Sequence, residues 1–162
     1  MTTAKSCFVE VAHIGIIAGL AGGLAEVAWI GFYGAISGVS VDLVAQEVTR
    51  SIVPSFGASS SSAWVGILIH LILAIGLGVG VAFAIRLLFR GHDRVYAEYS
   101  LVILALATVW AVNFLLALPY LNPSFVDLLP CSVTLVSKLL FGVSAATVFR
   151  IERTRLVRIS RI

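Results

Sequence analysis

Four long apolar windows divide the chain: about Val11 to Ile36, Trp64 to Phe89, about Tyr99 to Leu121, and Cys131 to Phe149. Each is long enough to cross a hydrocarbon core of about 30 Å as a helix, the open-ended element that satisfies its own backbone in lipid. None alternates strictly between apolar and polar positions, which excludes a closed barrel of strands. The pattern predicts an all-α polytopic membrane protein, a single domain over 1–162, with four spans (11–36, 64–89, 99–121 and 131–149) and a basic tail at 150–162.

Lys5 gives the first window the outline of a signal peptide. The window exceeds an apolar signal region of about 7–15 residues, contains Glu26, and closes on Trp29, Phe32 and Tyr33 rather than on a small-residue cleavage site. It reads as an uncleaved span.

The connection between the first two windows has a period of its own. In SVDLVAQEVTRSIVP, Val41, Val44, Ala45, Val48 and Ile52 recur at helical spacing, while Asp42, Gln46, Glu47, Thr49 and Arg50 fill the other face. Ser40 is placed to cap this helix and Pro54 to end it. The expectation is an amphipathic helix at the outer membrane interface, followed by the run SFGASSSSA. It serves either as a covering segment or as a lid over a polar pocket.

A weak tandem two-helix repeat overlays these windows. EVAWIGFY at 26–33 aligns with NFLLALPY at 113–120, matching Glu26 to Asn113 and Tyr33 to Tyr120. Val41-Asp42 and Val126-Asp127 follow, and HLILA at 70–74 matches KLLFG at 138–142, setting His70 opposite Lys138. Halves repeated in the same orientation would be related by an axis along the membrane normal.

Composition agrees with the pattern: 60% of residues are hydrophobic and 12% charged, against about 25% charged in a soluble domain. The basic residues add direction. Of eleven Lys and Arg, nine fall on one expected side: Lys5, Arg86, Arg90, Arg94, Arg150, Arg153, Arg155, Arg158 and Arg161. Arg50 lies opposite and Lys138 within a span. The positive-inside rule then predicts cytoplasmic N- and C-termini, and the imbalance argues against a dual-topology protein.

The candidate chemistry is a layer of intramembrane polar residues. A charge at the bilayer centre costs about 2.5–3.5 kcal/mol on insertion scales, so Glu26 is expected to be functional or half of a pair. Counting from the outer ends at about 1.5 Å per residue puts Glu26, His70, Asn113 and Lys138 about 9–15 Å deep, one from each span. Small residues or aromatics share their faces: Gly15, Gly19, Gly22, Gly23 and Tyr33 with Glu26, Gly66 and Ala74 with His70, Thr134 and Gly142 with Lys138, and Tyr120 with Asn113. All four polar groups are therefore expected to point inward. The layer is either a neutralised structural network with Glu26 paired to Lys138, or a binding or proton-handling site. Gly15, Gly19 and Gly23, and again Gly76 and Gly80, carry the small-xxx-small spacing of close helix contacts.

Other chemistry has little support. Cys7 and Cys131 are expected at opposite membrane faces, too far apart for an intramolecular disulfide, and there is no CxxC pair. Paired metal ligands such as HExxH are absent, His13 and His92 are expected near the interface, and no cofactor or metal is assigned. The tail RIERTRLVRISRI interleaves five arginines with Ile151, Leu156, Val157, Ile159 and Ile162. Directly after a span, this suits anionic lipid headgroups at Arg150, Arg153, Arg155, Arg158 and Arg161 better than nucleic acid.

The span order, the outer interfacial segment and the pattern WxGxxxH at Trp64, Gly66 and His70 resemble uncharacterised bacterial four-span inner-membrane proteins. The resemblance implies a bacterial inner-membrane location and no particular activity. Small multidrug transporters also carry a Glu in their first span, but they are shorter and lack this charge asymmetry. Two functional classes follow: a non-enzymatic membrane module, either an accessory or an assembly subunit of a larger complex, or a small proton- or ion-coupled permease acting as a homo-oligomer.

Overall fold

The structure, a computed structural model, describes residues 2–57, 59–88 and 95–159, with side chains described for 8–57, 59–88 and 97–152. Its described secondary structure is helical throughout. Span 1 is the helix Thr2–Ser37, span 2 is Ser62–Leu88 and span 4 is Cys131–Ile159. Span 3 is a composite of α-helical Val95–Ala111, π-helical Val112–Ala117 and α-helical Leu118–Leu121. In each there is a stretch long and apolar enough to cross a membrane: Phe8–Ser37, Ser62–Leu88, Ala97–Leu121 and Cys131–Glu152. The chain is an integral membrane protein.

Two short helices cap the end of the bundle away from the termini: a long cap helix, Val41–Ile52, and a short one, Pro123–Leu128. The turn into the first is dictated locally. Gly38 takes φ +78°, where a side chain would be strained, and its N–H reaches the Gly34 carbonyl at 3.0 Å to close span 1. Ser40 then caps the long cap helix by accepting from the Leu43 N–H at 3.4 Å. Asp42 lies in its first turn and Arg50 in its last, each favourable to the helix dipole, and Pro54 opens a 3-10 turn, Pro54–Phe56.

Span 1 is the centre of the bundle. It packs along span 2 on one side and span 4 on the other, span 3 packs on span 4, and spans 2 and 3 scarcely touch. Glycine makes the first contact possible: a Cβ on Gly19 would lie 2.5 Å from the Ala74 carbonyl oxygen, and one on Gly15 2.6 Å from the Val79 backbone. Facing span 4, Gly22 lies against the ring of Phe141, where a Cβ would come within 2.7 Å. The expected contact at Gly76 and Gly80 does not form; both are exposed with nothing close, and Gly78 is the residue that meets Gly15 and Gly19. The i, i+4 spacing is present on two faces of span 2, and spacing alone does not say which face has a neighbour.

The main core joins all four spans through Ala18, Ala74, Val81, Val102, Leu106, Phe141, Ala145 and Ala146. A second cluster under the cap joins Val44, Phe125 and Leu129 to Ile30, Tyr33, Val39, Val48, Leu118 and Leu128. Large apolar side chains such as Leu24, Phe32, Ile72, Leu104, Leu116 and Val143 are exposed, as suits a surface facing lipid tails, which are as apolar as they are.

The long cap helix is fastened to span 2 more tightly than an interfacial helix need be. Its Ala45 carbonyl occupies the space a side chain at Gly66 would fill, and Thr49 Oγ1 donates to the Ser62 carbonyl at 2.5 Å. Its expected polar face is therefore partly buried: Glu47 is 8% exposed and Thr49 fully covered, while Val41 and Ile52 of the apolar face are exposed. Both halves of the chain run span, cap helix, span, with Asp42 and Asp127 in corresponding helices. Packing does not follow the repeat, because spans 1 and 4 are in broad contact and spans 2 and 3 are not.

Candidate functional site

The residues that meet inside the bundle are Glu26 of span 1, His70 of span 2, and Ser137 and Lys138 of span 4. Glu26 is 3% exposed. Lys138 Nζ lies 2.7 Å from Glu26 Oε1 and 3.0 Å from Oε2, and Ser137 Oγ donates to Oε1 at 3.2 Å. Both carboxylate oxygens thus accept charge-assisted or hydroxyl hydrogen bonds, the condition for holding a buried charge without neutralising it. The Lys138 ammonium also lies 5.6 Å from the ring centroid of Phe141, within reach of its negative face.

His70 is the looser member. Its Nε2 is 3.3 Å from the Gly23 carbonyl oxygen and 3.6 Å from Glu26 Oε2, with a quarter of the side chain exposed. A carbonyl can only accept, so the bond to Gly23 requires a proton on Nε2 and leaves Nδ1 as the free ring nitrogen. Gly23 lets the two helices come this close, since a Cβ there would lie 2.8 Å from the Ala74 methyl.

Tryptophans fix the surrounding walls. Trp29 Nε1 donates to the Val133 carbonyl at 3.0 Å, tying span 1 to span 4. Trp110 Nε1 donates to Thr134 Oγ1 at 3.0 Å, tying span 3 to span 4 one turn from Lys138. Trp110 is stacked with Phe114, and Phe114 meets Phe125 of the short cap helix at 5.9 Å.

Three of the four expected layer residues therefore converge: Glu26, His70 and Lys138. Asn113 does not. It is exposed within the π-helical segment of span 3 and bonds to none of the other three, and Tyr120, expected on its face, is 88% exposed. The physical reason is Pro119. It has no N–H to give and its ring crowds the carbonyl one turn back, and the helix widens over Val112–Ala117, with the Leu118 N–H reaching back to the Asn113 carbonyl. Angles counted at 3.6 residues per turn fail across such a segment. Tyr33 is half-buried and lies under the cap in the second cluster.

A second polar cluster, which the hydrophobic pattern does not encode, lies between the cap segments. Glu47 receives Asn122 Nδ2 at 2.9 Å and Ser124 Oγ at 3.0 Å on Oε2, and Arg50 on Oε1. Asn122, 4% exposed, also donates to the Glu47 carbonyl at 3.1 Å and Ser51 Oγ at 3.0 Å, and its Oδ1 lies 2.6 Å from Ser124 Oγ, whose one hydroxyl proton is shared between this oxygen and Glu47 Oε2. Its sequence signal was slight: an Asn-Pro-Ser turn after span 3, with its acceptor 75 residues earlier.

Of the tail arginines assigned to lipid, Arg150 is exposed at the end opposite the cap. Arg153, Arg155, Arg158 and Arg161 lie outside the residues whose side chains are described, as do Lys5 and Cys7; Arg90, His92 and Arg94 lie outside the described residues altogether. Cys131 carries a free, exposed thiol at the start of span 4. Of two surface hollows, one is lined by Ile85, Tyr99, Val102 and Phe149 and the other by Thr108, Val112 and Leu115 of span 3; Glu26, His70 and Lys138 line neither. In comparisons with known proteins, no family model, no curated protein and no solved structure matches this chain.

Proposed function

We propose that the chain is a non-enzymatic membrane module, an accessory or assembly subunit of a larger membrane complex, whose polar layer holds three spans in register. The supporting observation is the saturation of Glu26: a carboxylate 3% exposed, gripped on both oxygens by Lys138 and on one by Ser137. A buried pair of this kind contributes specificity of helix register rather than net stability. The module sits in a bacterial inner membrane with both termini cytoplasmic and the cap outside, its arginine-rich tail against anionic headgroups. Purification in mild detergent from its native membrane tests the reading. A module co-isolates with a larger complex in fixed ratio, and recovery as a free monomer or homo-oligomer under all mild conditions counts against it.

One observation favours a second reading, a proton-coupled permease working as a homo-oligomer: His70, a quarter exposed, holds Nε2 3.6 Å from the Glu26 carboxylate. With Nε2 already carrying a proton towards Gly23 and Glu26, a proton taken up at Nδ1 would let Nε2 pass its own on to the carboxylate, a relay through the ring. Reconstituted protein would then carry protons across liposomes at a rate abolished by Glu26→Gln, and the absence of such flux removes this reading.

A further inference from the structure

We infer that the outer third of span 3 and the short cap helix form a hinged gate over the Glu26 layer, latched shut by Glu47. Three independent features coincide. The first is a fixed post: the long cap helix is fastened to span 2 by the Ala45–Gly66 backbone contact and the Thr49–Ser62 hydrogen bond. The second is a hinge. Span 3 is the least buried span, scarcely touches span 2, and changes to π-helical winding over Val112–Ala117 just before Pro119; such a widened turn localises bending.

The third is the latch. The long-range side-chain hydrogen bonds between the two cap segments converge on one acidic residue and its neighbour: Asn122 and Ser124 on Glu47, and Asn122 on Ser51. What the latch holds in place is an apolar plug. Phe125 and Leu129 from beyond span 3 and Val44 from the fixed post pack with Ile30 and Tyr33, which lie one and two turns along span 1 from Glu26 on its face. Swinging the outer third of span 3 away would remove Phe125 and Leu129 and uncover the Glu26 layer from the capped end. The latch does not depend on whether that layer carries a proton or only holds helices together.

The test is thiol accessibility in nanodiscs, where both membrane faces are open and no orientation need be assumed. In a background carrying Cys7→Ser and Cys131→Ser, Ser137→Cys reports from beneath the plug and Ser60→Cys from the surface, with a charged methanethiosulfonate as probe. Asn122→Asp sets a second carboxylate against Glu47 and should raise the Ser137→Cys reaction rate at least about tenfold, the scale of the charged hydrogen bond to Oε2 alone, with the bonds to the Glu47 carbonyl and Ser51 lost besides, leaving Ser60→Cys unchanged. Adding Glu47→Gln removes the repulsion and restores one donor–acceptor pair with the roles exchanged, so the rate should fall back part of the way, the bonds to the Glu47 carbonyl and Ser51 and the Arg50 pair staying lost. An unchanged rate in Asn122→Asp, or no return in the double variant, overturns the latch. Should Asn122→Asp not fold, Ser124→Ala removes one donor to Glu47 and leaves the amide; a rise of about threefold supports the latch and an unchanged rate overturns it.

Discussion

Removing one partner of the Glu26–Lys138 pair strands the other charge in the bundle, and the structure sets how much that should cost. At 2.7 Å and an effective dielectric of about 20, the gross attraction is about 6 kcal/mol, most of it offset by the lost hydration of both groups. The exposed cost of breaking such a pair is about 3–5 kcal/mol. The two single changes should differ. Glu26→Gln retains an oxygen for Ser137 and Lys138, so its cost belongs at the lower end. Lys138→Met leaves a carboxylate that is 3% exposed with Ser137 and the more distant His70, and belongs at the upper end. The double variant leaves no charge at either position and a methionine stem of similar volume over Phe141, so about 2–3 kcal/mol or more of the summed loss should return. Equilibrium unfolding in mixed detergent micelles, read by tryptophan fluorescence, measures all four corners of the cycle, with monodisperse yield as a cruder check. A double variant damaged by the sum of the singles within about 0.5 kcal/mol would refute the reasoning, because additivity at that level is the behaviour of residues that do not interact.

Asn113→Leu should leave unfolding within about 0.5 kcal/mol of the parent protein, since its side chain is exposed and bonds to none of the layer residues; a loss above about 2 kcal/mol would return it to the layer. Gly66→Ala should destabilise or displace the long cap helix, because the new methyl meets the Ala45 carbonyl, whereas Gly76→Ala, open on its face, should be neutral or stabilising by up to about 1 kcal/mol; thermal melts of the two variants should separate clearly. For orientation, a thiol at Ser60 in a cysteine-free background should react with an impermeant reagent on intact cells and one at Ser160 only after lysis, and labelling of Ser160 in intact cells reverses the assignment.

The spans were legible because each is a long apolar run, and the cap helix because Ser40 and Pro54 bracket a clear helical period. Glu26, His70 and Lys138 could be grouped because spans of similar length, counted from a common surface, put residues at comparable depth. Facing is not fixed by spacing alone. Gly76 and Gly80 carry the same spacing as Gly15 and Gly19 but meet no helix, and Asn113 turned outward where π-helical winding changes the angle per residue. Glu47 looked solvated beside Asp42 and Gln46; its burial depends on Asn122 arriving from a distant turn, and no local period encodes that meeting.

The spatial order of the spans, 2–1–4–3, has a consequence for how the chain is made. Glu26 and the ammonium that compensates it are 112 residues apart, so at about 5–20 residues per second span 1 precedes Lys138 by about 6–22 s. Throughout that interval span 1 must be accepted by the insertion machinery with an unmatched carboxylate, against the packing of span 2 and the ring of His70 alone. A ribosome stalled between spans 3 and 4 would leave a three-span intermediate with Glu26 uncompensated and the face of span 1 that receives Phe141 and the Val133 carbonyl uncovered. Span 4, the last to be made, is therefore the element that supplies the partners of both Glu26 and Trp29.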